Sequence, residues 1–387
     1  MKKLRTGVIG CGKVSHTHAR ALSELRESEF VSVYSRSAEK AEAFAGRYAA
    51  KGYTDLDRML KEVDAVVVCT PHPVHATPAI RALEAGVHVL VEKPLASSLQ
   101  DCDAMISAAA KSGCILSTVS QRRWYAPVLR VKRAVDEGKI GAPVLGMVTM
   151  LGWRDEPYYR SDPWRGSWKM EGGGVLVNQA PHQLDLLLWF MGPVAELYGC
   201  WDNLNHPYIE VEDTAIALIR FANGALGNIV VSNSQKPGLY GKVHVHGSSG
   251  ASVGVQTDGG AMFIAGMSPV LEPPVNDLWS VPGEDSLLDL WKGEDEEFFR
   301  TIDAASYYHK LQLEDFLQAI LEHREPKVSG PEGRRTVELF TAIYRSNRDR
   351  RPVSFPLEPE RDREDFDGRL GLGRSGYSAC GKSKPGV

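Results

Sequence analysis

The stretch that decides the fold is "GVIGCGKVSHTHARAL", residues 7–22. It passes from an apolar strand pattern into a helical one across Gly10 and Gly12. One glycine permits a tight strand-to-helix turn, and a second lets backbone N–H groups approach a pyrophosphate at the positive end of the helix. A third glycine commonly serves helix packing, and here the small Ser15 takes its place. Taken alone, the pattern fits a dinucleotide site or a plain βα turn.

Working outward, "RTGVIG", "FVSVYS", "DAVVVCT", "HVLVEKP" and "CILSTVS" are short Val- and Ile-rich runs alternating with segments of helical period. Strict alternation implies right-handed βαβ units and a parallel sheet. Strands apolar throughout fit a sheet covered on both faces. The fold class is therefore α/β, with a Rossmann domain over residues 1–122. The second run ends in "VYSRS", placing Ser35 and Arg36 where such folds read the adenosine ribose. A carboxylate there would bind the 2′-hydroxyl of NAD. Ser35 beside a guanidinium also suits a 2′-phosphate, so NAD and NADP both stand, with a tilt to NADP.

From residue 123 the texture changes. A helix ("APVLRVKRAVDEGKIG") and a strand ("PVLGMVTML") precede a long irregular stretch rich in Trp, Tyr, Arg and Gly, then a helix near 174–191. The runs "AELYGCWDNL", "EDTAIALIRFANG", "ALGNIVVSNS" and "GKVHVHGSSG" alternate in the strand period and predict an antiparallel or mixed sheet. Helices near 306–323 and 331–348 close a second domain, residues 123–356. Residues 357–387 are charged, then Gly- and Ser-rich, and are expected to form a mobile tail.

Composition narrows the partners. The 387 residues carry a net charge of -4, which gives no polybasic field for nucleic acid or anionic membrane. No apolar run approaches the roughly 18 residues of a membrane helix, and the start does not read as a signal peptide. The six cysteines form no CxxC pair, as expected of free thiols in a cytoplasmic protein. His244 and His246 sit two apart on a strand with no third ligand in view, so no metal site is proposed. "GEDEEFF" reads as a solvated acidic loop.

Two segments can carry chemistry. "VLVEKPL" sets Glu92, Lys93 and Pro94 at the C-terminal end of a strand, the edge where open α/β sheets bind ligands. A partly buried lysine there, its pKa lowered, can polarise or deprotonate a hydroxyl. In "EGGGVLVNQAPHQLD", Asn178, His182 and Asp185 fall at i, i+4 and i+7 on one helix face. A histidine accepts a proton near neutral pH, Asn178 can orient a hydroxyl, and Asp185 can hold the imidazole tautomer or cap a polar face.

These pieces together resemble the glucose–fructose oxidoreductase, inositol dehydrogenase and rhizopine-catabolism (Gfo/Idh/MocA) family. The match rests on "GVIGCGKVSHTHA", "YSRSAEKA", "VVVCTPHPVHATPAIRALEAGVHVLVEKPL", "QRRWYAPVLRVKRAVDEGKIG" and "GGGVLVNQAPHQLDLLLWFMG", in order, across residues 4 to 355. The resemblance implies a second α/β domain with a large open, mostly antiparallel sheet that serves a substrate pocket and an oligomer interface. It implies Lys93 and His182 as the catalytic pair and Asn178 as a third active-site position, where inositol dehydrogenases often carry Asp. That departure puts myo-inositol in doubt as substrate. Thr70, Pro71 and His75 match the segment beside the nicotinamide, Arg123 a basic position after the fifth strand, and Trp164 and Arg165 a loop facing substrate.

The expected cofactor contacts are therefore Gly10, Gly12, Lys13, Val14, Ser35, Arg36, Thr70, Pro71, His75, Glu92 and Lys93. The expected substrate contacts are Asn178, Asp185, Arg123, Trp164 and Arg165. Trp153, Trp168 and Tyr158 are further candidates for stacking on a sugar ring, and Arg154 for reaching its hydroxyls. The expectation is an NAD(P)-dependent dehydrogenase, a homo-oligomer, acting on a CH–OH carbon of a sugar, cyclitol or related polyol. Alternatives are an aldose 1-dehydrogenase forming a lactone, an NAD-dependent glycosidase with transient oxidation, and a non-catalytic cofactor sensor.

Overall fold

The computed structural model describes residues 3–236, 238–259 and 272–360. Its first half is a six-stranded parallel sheet. The strands are β1 (Leu4–Ile9), β2 (Ser28–Tyr34), β3 (Lys51–Tyr53), β4 (Ala65–Val68), β5 (His88–Val91) and β6 (Leu116–Thr118). Their order, β3-β2-β1-β4-β5-β6, is that of a doubly wound Rossmann sheet. The chain reverses direction across β1 and β4, so the loops after these strands open a crevice at their carboxyl ends. The five apolar runs became five strands, and the sixth, β3, is three residues at the sheet edge.

Helices α1 (Lys13–Glu24), α2 (Ala38–Arg47), α3 (Leu56–Leu60), α4 (Ala76–Glu84) and α5 (Leu99–Ser112) connect these strands. β4 is buried along its whole length, as a sheet covered on both faces requires. Part of that cover comes from far along the chain. Leu313, Phe316, Leu317 and Ile320 of α10 (Ala304–Glu322) join Leu4, Val8, Ala19 and Leu22 in one core cluster.

After α6 (Ala126–Asp136), the second half is built on an eight-stranded sheet. Its strands are β7 (Pro143–Leu151), β8 (Val194–Asp202), β9 (Thr214–Phe221), β10 (Leu226–Ser232), β11 (Tyr240–Gly247), β12 (Ser252–Gly259), β13 (Val275–Trp279) and β14 (Val353–Ser354). The order is β13-β12-β11-β7-β10-β9-β8-β14. Every ladder is antiparallel except that of β7 with β10, so the sheet is mixed. One face is packed by α8 (Pro181–Met191) and α11 (Gly330–Asp349). The other is open, with Ile216 49% and Leu218 64% exposed on β9.

Three local readings change. The helix expected from 174 begins as a π-helical turn, Val175–Gln179, and only then becomes α8. The acidic "GEDEEFF" is part of helix α9 (Leu287–Thr301), and its Asp295 is buried against Arg130 through hydrogen bonds of 2.6 and 2.9 Å. The chain also stays packed beyond 356. The Leu357 N–H donates to Glu338 at 2.6 Å, and the Glu360 carboxylate meets Arg348 at 2.6 and 2.9 Å. The remainder of the expected tail, 361–387, lies outside the described residues. Among the described residues no helix is long and apolar enough to cross a membrane.

Candidate active site

The turn after β1 has the geometry its glycines suggested. Gly10 sits at φ +114°, and a Cβ there would stand 2.8 Å from the Cys69 carbonyl oxygen. At Gly12 a Cβ would meet nothing within 4 Å, so the backbone borders open space at the N-terminus of α1. Ser15 is fully buried, and its Oγ accepts the Gly12 N–H at 3.1 Å, replacing a packing glycine with a cap. Thr70 and Pro71 follow the neighbouring strand β4, and a Cβ at Gly10 would stand 3.4 Å from the Thr70 nitrogen. An open helix N-terminus beside a residue with no Cβ fits a dinucleotide pyrophosphate.

Other expected cofactor residues fall into two groups. Lys13 opens α1, and Ser35 and Arg36 follow β2: Lys13 Nζ reaches Asp162 at 3.4 Å, the Ser35 Oγ caps the Ser37 N–H at 3.2 Å, and Arg36 is exposed. Val14, His75 and Glu92 have their side chains occupied by the protein. Val14 packs against the Rossmann core. Both His75 ring nitrogens face backbone carbonyls, Pro94 at 2.9 Å and Thr70 at 2.8 Å. Glu92 accepts from His18 Nε2 at 2.7 Å and from the Lys93 N–H at 3.0 Å. Burial alone would raise the Glu92 carboxyl, but the His18 hydrogen bond and charge outweigh it and hold it down to about 2. With His309 these two residues bring three ligand-type atoms within 4.8 Å of one another, a cluster that the sequence reading missed. The short His18–Glu92 contact is a hydrogen bond that anchors the strand end carrying Lys93.

Lys93 is the centre of the site. Its amine donates to the Asn178 carbonyl oxygen at 2.8 Å and to Asn178 Oδ1 at 3.4 Å. Burial pushes this amine down to about 8; Arg122 and Arg165 push the same way, and Glu92 opposes them. His182 lines one small cavity with Lys93, Thr118, Ser120 and Thr336. Burial, then Arg122 and Lys93, push its imidazole well below the ordinary 6.5. Among the described residues its ring nitrogens have no hydrogen-bond partner. His182 is thus a neutral imidazole with an uncommitted acceptor, beside an amine of lowered basicity.

Asp185 does not hold that imidazole. It forms a buried ion pair with Arg123, at 2.9 and 2.7 Å, and accepts from the Ser120 hydroxyl. Arg123 also reaches Glu332 at 2.8 Å. The structure therefore brings Lys93, Asn178 and His182 together; Asp185 lines the same cavity as Lys93 and His182, with its carboxylate held by Arg123. Trp164 meets His72 edge-on, and Arg165 lies over both the Trp164 and Tyr158 rings. Trp168 is a core residue, packed against Trp201 and Tyr344 with its Nε1 donating to Glu210 O at 3.0 Å.

Two buried carboxylates shape the glycine-rich loop, and neither was assigned from sequence. Glu212 accepts from the Gly174 N–H at 2.8 Å, the Leu176 N–H at 3.0 Å and the Tyr344 hydroxyl at 2.8 Å. Only glycine fits at 174, since a Cβ would lie 1.8 Å from the Glu212 carbonyl oxygen. Glu171 accepts from the Gly166 N–H at 2.6 Å and from Asn178 Nδ2. Burial raises both carboxyls to about 7.

Comparison with known proteins gives this geometry a context. Residues 4–120 match the pattern described as an oxidoreductase family with an NAD-binding Rossmann fold, and residues 128–253 match the GFO/IDH/MocA C-terminal domain. Inositol 2-dehydrogenase of Rhizobium meliloti (strain 1021) is 26% identical, over 91% of this chain and 99% of that protein. The 1,5-anhydro-D-fructose reductase of Ensifer adhaerens is 28% identical, over 85% of this chain and 92% of that protein. The WlbA dehydrogenase from Bordetella pertussis, solved in complex with NADH and UDP-GlcNAcA, superposes with a TM-score of 0.77 and is 30% identical; 92% of this chain and 100% of that chain are covered. The chain belongs to the GFO/IDH/MocA oxidoreductase family and is an NAD-binding dehydrogenase of that family.

Proposed function

We propose that this enzyme interconverts a CH–OH group and a carbonyl on a sugar, cyclitol or related polyol, with Lys93 and His182 managing the hydroxyl proton. The observation that carries the reading is the meeting of Lys93, lowered to about 8, and His182, held well below 6.5 by burial, in the lining of one cavity. The turn at Gly10 and Gly12, the N-terminus of α1, and Thr70 and Pro71 would hold a dinucleotide, and Ser35 and Arg36 leave room for NADP as well as NAD. Bound there, the dinucleotide supplies the capacity to take up or release a hydride.

In the oxidative direction the His182 ring accepts the hydroxyl proton, and Lys93 polarises the same oxygen. In reduction the pair returns the proton. Asn178 fixes the direction of the Lys93 amine. Burial of both groups keeps bulk water from competing for that proton. Within this substrate class a sugar bearing an acidic group is the narrower candidate. Relatives named for inositol and anhydrofructose support the wider class, and the WlbA complex with UDP-GlcNAcA supports the narrower one. The open apolar face around Ile216 and Leu218 suits a second copy of the chain, so a cytoplasmic homo-oligomer is part of the proposal.

The test is a panel of neutral sugars, polyols, cyclitols and their uronic acids against NAD and NADP, read by nicotinamide absorbance, with products identified. A lactone product would select the aldose 1-dehydrogenase alternative. Glycoside cleavage with no net cofactor change would select the glycosidase. Cofactor binding without turnover of any member would sink the dehydrogenase reading in favour of a sensor.

A further inference from the structure

Glu171 lies next to three glycines in sequence, yet it is buried to 1% exposure. One carboxylate oxygen takes the Gly166 N–H, and the other takes Asn178 Nδ2. The amide of Asn178 has two ends. A carboxylate on one side can accept only from Nδ2, which turns Oδ1 to the opposite side, where the Lys93 amine donates to it. The three side chains form one chain of hydrogen bonds, carboxylate to amide to ammonium. Such links strengthen one another in a buried site.

We infer that Glu171 is a positioning residue of the active site, which locks the Asn178 amide with Oδ1 toward Lys93 and so sets the direction and basicity of the Lys93 amine. The inference rests on the reading of Lys93 as a proton-handling group. The charged and titratable groups facing Glu171 are Arg165 from its own loop, Lys93 beyond β5, and Glu212 before β9. Tyr158 and Tyr159 face it from α7 (Glu156–Arg160), and the His72 ring meets its backbone carbonyl at 3.1 Å. Asn178 Nδ2 also donates to the Tyr158 hydroxyl at 3.4 Å, from the same end of the amide that Glu171 takes, whereas Lys93 meets Oδ1 at the other end. Burial raises Glu171 to about 7, so below that pH it carries a proton and can donate to Asn178 Oδ1, turning the amide away from its lock on Lys93. The link is thus charge-dependent.

Competitive labelling with acetic anhydride, followed by peptide mass spectrometry across pH, reads the Lys93 midpoint directly. It needs no substrate, so a failed sugar panel and a failed test here are separate outcomes. Glu171→Gln should lower the Lys93 midpoint by about one unit, as expected when a nearby negative charge and its hydrogen-bond chain are lost. Glu171→Asp, which keeps the charge and shortens its reach, should recover part of the shift. Asn178→Ser should lower the midpoint in the same direction, and adding Glu171→Gln to it should change nothing further. This second arm stands if Glu171→Gln alone does not fold. An unmoved midpoint in a folded Glu171→Gln or Asn178→Ser protein overturns the inference. So does an equal shift from Glu171→Gln with and without Asn178, since that would be a direct field effect that bypasses the amide.

Discussion

The Lys93 amine donates at 2.8 Å to the backbone carbonyl of Asn178, tying the end of a Rossmann strand to the first turn of the glycine-rich segment. That bond joins the Rossmann half of the chain to its second half at the proposed reaction centre. Lys93→Ala and His182→Ala should each slow turnover by roughly 10²-fold or more, the loss expected for a general acid–base group. Dinucleotide affinity, measured by fluorescence titration, should hold in both. Near-normal turnover in either variant would remove that residue from the proton pathway.

The pH profile has a definite sign. His182 is held well below 6.5, so it does not titrate above neutrality, whereas Lys93 gives up its proton at about 8. The charged amine that polarises the reacting oxygen is therefore lost above about 8, so turnover in both directions should fall as pH rises through that value. Lys93→Arg stays charged throughout and should erase the limb. The check is kcat against pH in both directions, with a limb that survives in Lys93→Arg counting against the assignment.

The Arg123–Asp185 pair is buried on both sides, with side-chain exposures of 5% and 7%. Removing one partner from such a pair leaves an uncompensated charge. Asp185→Ala should cost about 3 kcal/mol in urea unfolding, the low end of the range for buried pairs, because Glu332 still faces Arg123. Substrate KM should change little. Full stability with a large rise in KM would return Asp185 to the substrate.

How much of this could be read from the sequence depends on how local each signal is. The Rossmann half was legible because buried parallel strands are continuous apolar runs and the glycine turn sits within a few residues of both its elements. Strand β3 carries three residues, too few for a period. The helical spacing put Asn178, His182 and Asp185 on one face; in the structure His182 and Asp185 line one cavity with Lys93, and Asn178 meets the Lys93 amine from the π-helical turn. It could not reveal that Arg123, 62 residues away, satisfies Asp185. Glu171 and Glu212 were invisible for the same reason. A carboxylate beside glycines reads as a loop charge until the fold brings Asn178, Gly174 and Tyr344 to it. Trp168 carried the letters of a stacking surface, and only the packing of Trp201 and Tyr344 makes it core.

Gly12→Val should fold normally and lose the dinucleotide. A Cβ added there meets nothing within 4 Å beyond its own chain neighbours and helix, so the fold offers no close contact against it. The space it fills is the space a pyrophosphate needs at the N-terminus of α1. Circular dichroism checks the fold and fluorescence titration the affinity. Unchanged affinity in a folded variant would move the cofactor away from this turn.

Cofactor choice turns on Ser35 and Arg36. The Ser35 hydroxyl caps the Ser37 N–H, which fixes the loop and leaves no carboxylate to repel a 2′-phosphate. Arg36 is exposed at the rim, free to swing onto a phosphate or to lie flat on an adenine. Arg36→Ala should weaken NADP by about 1 to 2 kcal/mol more than NAD, the size of a charge-assisted hydrogen bond. Ser35→Asp should reverse the preference strongly toward NAD, because its carboxylate would accept from the 2′-hydroxyl and repel the phosphate. Dissociation constants of both cofactors for the wild type and the two variants separate the cases. Equal losses of NAD and NADP on removing Arg36 would mean that the guanidinium stacks on the adenine and leaves the phosphate unread.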